Sequence, residues 1–193
     1  IAEFRKGFLD YYKRQGNDFD FWKAYSAYSV KEFFYDSEQV DRDVDHFHYL
    51  PELEELDLVE GSSEIINNLN EQHEIVFITS RPKEHKEATK RYMKKYFPDE
   101  LKIIHSEEMD KNVGRGGDIV TKGDICEEEG VDVMIEDNPR YARDCAERGI
   151  FVFVLEKPWN EEQDFEDYRN IEKISHWNEI LDKLNDIKSK QTR

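Results

Sequence analysis

Residues 131–139 read VDVMIEDNP. A nearly unbroken apolar run, Val131 to Ile135 with only Asp132 intervening, meets two adjacent carboxylates, Glu136 and Asp137, and then Asn138-Pro139. A short apolar run bounded by turn residues is the pattern of a buried strand in a parallel sheet. Open α/β sheets bind ligands just outside the carboxyl ends of their strands, where these two acids fall. Paired carboxylates there suit a hard cation such as Mg2+, which takes oxygen ligands and keeps waters for a phosphate. A strand running into a solvated Asp-Asn-Pro turn accounts for the same residues.

The neighbouring segments repeat the pattern. Ile75-Val76-Phe77-Ile78 predicts a strand ending in Thr79-Ser80-Arg81-Pro82, with a helix over 83–96 stopped by Phe97-Pro98. Residues 101–105 predict another short strand, and 122–129 a short helix closed by Gly130. A helix over 139–148 has Pro at its first turn and Gly149 beyond its end, and a strand follows over 150–155. Ile65, Ile66 and Leu69 mark the buried face of an earlier helix, and Trp177, Ile180, Leu181 and Leu184 that of a final one. Strands alternating with helices predict an α/β fold, a Rossmann-like parallel sheet over residues 56–193.

Residues 1–55 read differently, as a small N-terminal helical cap. Phe4, Phe8, Tyr11 and Tyr12 share one helix face, and Gly16-Asn17 ends it. Asp18 or Asp20 can cap a second helix through Phe21, Trp22 and Tyr25. Val30, Phe33 and Phe34 suggest a third, and residues 36–48 a polar fourth. The aromatic share, 13%, sits largely in this stretch and excludes a disordered chain despite 38% charged residues. The net charge of −17 argues against a nucleic-acid polymer or an anionic membrane as partner. A local basic pocket for a small phosphorylated substrate stays compatible with it. Two cysteines, Cys126 and Cys145, form no dense framework, and no apolar stretch reaches membrane-spanning length, so a cytoplasmic setting is the expectation.

Two further stretches carry chemistry. Thr79-Ser80-Arg81 places hydroxyls, backbone N–H groups and a planar guanidinium between a strand end and a helix start, a composition suited to a phosphate. Helix capping before Pro82 explains the hydroxyls equally well. Lys122, at the start of a short helix, can reach toward Glu136 and Asp137 and offset phosphate charge, although any single lysine is more often solvated.

Taken together in this order, FITSRP (77–82), KGDICEEEGVDVMIEDNPRYARDCAERGI (122–150) and KPWN (157–160) resemble motifs II to IV of the haloacid dehalogenase superfamily of phosphohydrolases. The branch they look most like is that of nucleotidases similar to 5′(3′)-deoxyribonucleotidases. The resemblance spans about residues 61–160. It implies a Mg2+-dependent phosphatase acting on a nucleotide-like substrate. Thr79 and Ser80 would hold the phosphoryl group with Arg81 beside them, Lys122 would stabilise the charged nucleophile, and Glu136 and Asp137 would hold Mg2+.

The family's first motif, an apolar strand ending in DxD with the nucleophilic aspartate, has no counterpart here. Asp18-Phe19-Asp20 has the spacing, but Arg14-Gln15-Gly16-Asn17 precedes it. Without that aspartate covalent phosphoryl transfer fails, because Thr79 and Lys122 only assist. The strand is also normally central, so its absence is expected to leave the strands over 75–79 and 132–136 flanking a slot with unpaired backbone groups. A fragment of an active enzyme, which Ile1 favours, and a shortened, silent phosphate-binding relative both remain open. Asp43, Asp45, His46 and His48 could converge on a metal, or form a solvated helix face. Arg115 lies in a glycine loop lacking the GK[ST] of a P-loop, and Trp159 is placed to pack over the site rim.

Overall fold

In a computed structural model, which describes residues 2–27, 34, 37–98, 101–106 and 120–191, the aromatic N-terminal segment folds first into helix α1, Phe4–Arg14. Phe8, Leu9 and Tyr12 form its buried stripe, and it ends at Gly16, whose φ of 89° strains any residue with a side chain. Helix α2, Phe21–Ser26, is capped by Asp20 rather than Asp18: the Asp20 carboxylate accepts from the Lys23 N–H at 3.1 Å. The expected third helix falls mostly outside the described residues. Helix α3, Ser37–Phe47, leads through a 3-10 turn, Pro51–Glu55, to α4, Ser62–Asn70.

The α/β part follows the expected alternation. Strand β1, Val76–Thr79, precedes a 3-10 turn, Lys83–His85, and helix α5, Lys86–Lys94. The single helix expected over 83–96 is thus two pieces, since the turn after Pro82 winds tightly before the α-helix begins. Strand β2 is Lys102–His105. Helix α6, Lys122–Glu128, starts at a capping box in which Thr121 and Asp124 each accept from the other's N–H. Strand β3, Val133–Glu136, meets α7, Pro139–Glu147, through the Asn138 cap. Strands β4, Phe151–Leu155, and β5, Ile171–Ile174, precede α8, Glu179–Gln191. The sequence reading has no strand at β5.

Among the described residues the paired strands run parallel, but they form two sheets. One is β1-β2, with Thr79 opposite His105, and the other is β3-β4-β5, with Glu136 opposite Val154. Among the described residues no ladder joins β1 to β3, so a parallel α/β architecture is present while one continuous sheet is not. Both sheets nonetheless belong to one body. Phe77 of β1 and Val133 and Ile135 of β3 pack on the same apolar cluster, while Ile78 and Met134 pack on the cluster of the opposite face. The first cluster also holds Phe8, Leu9 and Phe47 from the helical segment together with Ile65, Tyr92, Phe153 and Ile180. Burial follows pairing: Val152, Phe153 and Val154 of β4, flanked on both edges, are fully buried, whereas Val76, Phe77 and Ile78 of β1 and Val133, Met134 and Ile135 of β3 are half-buried. Among the described residues no helix is long and apolar enough to cross a membrane.

Candidate functional site

The carboxyl end of β3 brings two buried charged side chains together. Glu136 ends the strand with 7% of its side chain exposed, and Lys122, the first residue of α6, lies opposite with 10% exposed. Lys122 Nζ donates to Glu136 Oε2 at 2.6 Å and sits 4.5 Å from the centre of the Tyr141 ring. Burial pulls the lysine pKa down, but the Glu136 carboxylate overrides it and the ammonium is held above its ordinary range. Burial likewise raises Glu136, and Lys122 together with the hydrogen bonds from Asp137 and Asn138 more than offsets it, so the pair stays ionised. Glu136 Oε1 accepts from the N–H groups of Asp137 and Asn138, each at 3.0 Å. Both Glu136 oxygens are therefore engaged within the chain.

Asp137 is in the contrary state. Desolvation, then the neighbouring Glu136, lift its pKa from 3.8 to about 6. Its backbone carbonyl is clamped by Asn160 Nδ2 at 2.7 Å and Trp159 Nε1 at 3.3 Å. Asn160 is completely buried and also donates to the Leu155 carbonyl at 2.9 Å, tying the end of β4 to the end of β3. Trp159 packs beside this strand end, with Arg5 stacked over its ring at 4.2 Å and Tyr25 edge-on at 5.6 Å.

The end of β1 is built differently. Thr79 Oγ1 accepts from the Arg81 N–H at 3.2 Å, the local capping role, and its hydroxyl proton remains available to a ligand. Half-buried Ser80 follows. The Arg81 guanidinium lies 5.9 Å from the Phe4 ring and 5.8 Å from the Tyr92 ring, with no described carboxylate in ion-pair distance. Burial lowers its pKa to about 10. Phe4 and Arg5 thus link the two strand ends, one touching Arg81 beyond β1 and the other Trp159 beside Asp137.

Of the residues singled out in the sequence, Lys122, Glu136 and Asp137 converge. Thr79, Ser80 and Arg81 stand at the end of the other sheet. Asp43, Asp45, His46 and His48 do not converge: His48 bonds the Val44 carbonyl at 2.8 Å and stacks on Phe4 and His85. Among the described residues no three His, Cys, Asp or Glu side chains form a metal-binding group. Arg115 lies outside the described residues. Arg5, Tyr25 and Asn160 are site residues the sequence reading did not single out; only Asn160 carried a signal, within KPWN. No model of a known protein family and no curated protein matches the chain.

Proposed function

We propose that this chain carries the phosphate- and metal-binding half of a Mg2+-dependent phosphomonoesterase site of the haloacid dehalogenase type. The observation that supports it best is the buried Lys122–Glu136 pair beside Asp137, whose carboxyl is lifted to about 6. A half-buried acid with a raised pKa next to a buried ion pair is the kind of arrangement that functional sites use. In this reading Asp137, not Glu136, is the metal-facing carboxylate, because both Glu136 oxygens are already used and a carboxylate at about 6 gains most from a cation. Mg2+ fits this donor set, needing one or two carboxylates, with water and substrate oxygens completing its shell. When bound it supplies positive charge to the phosphoryl oxygens.

The chain's own groups do the rest. Lys122 brings a permanent positive charge, Thr79 a hydroxyl donor and Arg81 a guanidinium whose charge is not offset by a described carboxylate. Asn160 and Trp159 fix the Asp137 backbone, and so the direction of its carboxylate. The aromatic flank of Trp159 and Tyr25 suits a nucleotide-like monoester. Asp18-Phe19-Asp20 follows no strand, and Asp20 caps α2, so in this reading the pair supplies no nucleophile and the chain binds without turnover.

Titration with inorganic phosphate, with and without Mg2+, tests the reading. Binding that needs Mg2+ and is lost in Asp137→Asn is expected; binding indifferent to both overturns it. With p-nitrophenyl phosphate and Mg2+, turnover at the buffer rate is expected. Robust turnover abolished by Asp137→Asn would overturn the missing-nucleophile argument.

A further inference from the structure

Helices α6 and α7 are clamped together beside the Lys122–Glu136 pair. The Gly123 N–H donates to Asp144 Oδ2 at 2.9 Å, and Arg148 Nη2 donates to Asp124 Oδ1 at 2.7 Å. A Cβ on Gly123 would run into the Asp144 carboxylate and the Arg148 guanidinium, so this clamp depends on glycine there. Cys126 lies one turn after Lys122 on α6, and Cys145 lies next to Asp144 on α7. Both cysteines are completely buried, both are free thiols, and their Sγ atoms are 4.0 Å apart. Each is anchored through its backbone as well. The Cys126 carbonyl accepts from the Val131 N–H at 2.8 Å, and the Cys145 carbonyl from the Ile150 N–H at 3.3 Å. A disulfide sulfur pair is about 2.0 Å apart, so closing the bond needs a move of about 2 Å, the scale of a small helix shift.

The two thiols are not equivalent. The Cys145 thiol donates to Cys126, and the Lys122 ammonium lies nearby, so Cys126 is held below the ordinary thiol range. The same hydrogen bond, and burial, hold Cys145 above it. We infer that Cys126 and Cys145 are a dithiol that a small hydroperoxide oxidises to an intramolecular disulfide, reversibly locking α6, the helix that presents Lys122, onto α7. Cys126 sulfur attacks one peroxide oxygen; the S–O bond forms, the O–O bond breaks, and the leaving hydroxide takes the Cys126 proton as water. Cys145 sulfur then attacks the Cys126 sulfenic acid; the S–S bond forms, the S–O bond breaks, and the hydroxide leaves with the Cys145 proton as a second water. The two thiols lose two electrons and the peroxide gains them. Complete burial selects an oxidant of near-water size, since a bulky disulfide has no path to either sulfur. The inference goes beyond the phosphatase reading and needs neither metal nor phosphate.

These are the only two cysteines of the chain, so any intramolecular disulfide is this one. The native 193-residue chain is treated with hydrogen peroxide in the presence of a chelator. A mass loss of about 2 Da that dithiothreitol reverses is expected, with slower amide exchange in both Lys122–Glu128 and Pro139–Glu147. Two free thiols persisting after treatment, a disulfide that links two chains, closure only in denaturing urea, or unchanged exchange in either helix overturns the inference. The order of attack is read with dimedone, which traps sulfenic acids. Peroxide-treated Cys145→Ala, which keeps Cys126, is expected to label about tenfold or more faster than Cys126→Ala, which keeps Cys145. Equal labelling, or faster labelling of Cys145, overturns the mechanism.

Discussion

Lys122 Nζ lies 2.6 Å from Glu136 Oε2, with nine-tenths of each side chain hidden from solvent. A buried pair of this kind is costly to split, because the survivor is a desolvated charge without a partner. Lys122→Met is therefore expected to destabilise the chain by about 3–5 kcal/mol in urea denaturation. The double variant Lys122→Met/Glu136→Leu is expected to recover most of that loss while binding no phosphate. A double variant as unstable as the single one would show that the pair is not the unit that matters.

Asp137 makes the opposite prediction. Its pKa rises from 3.8 to about 6 on folding, so the folded state holds a proton that the unfolded state releases between those values. Stability is full below pH 4, falls as pH rises toward 6, and is then lower by about 3 kcal/mol. With chelator present, Asp137→Asn should flatten this fall and raise Tm at pH 7. An unchanged or lower Tm would refute the assignment of a strained, desolvated carboxylate.

His48 titrates in the reverse sense. Burial, and then Arg81, hold its pKa at about 4, below the ordinary 6.5. The folded state resists a proton that the unfolded state accepts, so stability is full above pH 6.5 and declines by about 3 kcal/mol toward pH 4. His48→Phe keeps the stack on Phe4 and His85 and should make that slope shallower. Equal slopes for both proteins would place the acid sensitivity elsewhere.

Arg81 carries a desolvated charge that no described carboxylate offsets. Arg81→Met should leave Tm within a few degrees of the parent, or raise it, and should abolish phosphate binding. A large loss of stability would mean that the contacts with Phe4 and Tyr92 are its main role.

Much of this was readable from local chemistry. The capping box at Thr121 and Asp124 puts Lys122 at the first helical position, and VDVMIEDNP ends its strand at Glu136, so their meeting follows from two local signals. Strand β5 was not readable, because Glu172 and Lys173 interrupt its four residues. The unequal roles of Glu136 and Asp137 were not readable either: adjacent acids look alike until one is seen to accept Lys122 and two backbone N–H groups. Nor does an aromatic stripe tell a separable cap from a shared core. Phe8, Leu9 and Phe47 enter the same cluster as Phe153 and Ile180.

The open edges of β1 and β3 also bear on how copies of the chain behave toward one another. Unpaired apolar strand edges are templates for edge-to-edge association. At neutral pH the net charge of −17 keeps two copies apart. Near the pI of about 4.8 that repulsion vanishes, while the opposite pH dependences of His48 and Asp137 offset each other in the fold, so mild acid removes the colloidal barrier first. In this protein the acidic surface acts as the gatekeeper of its own sheet.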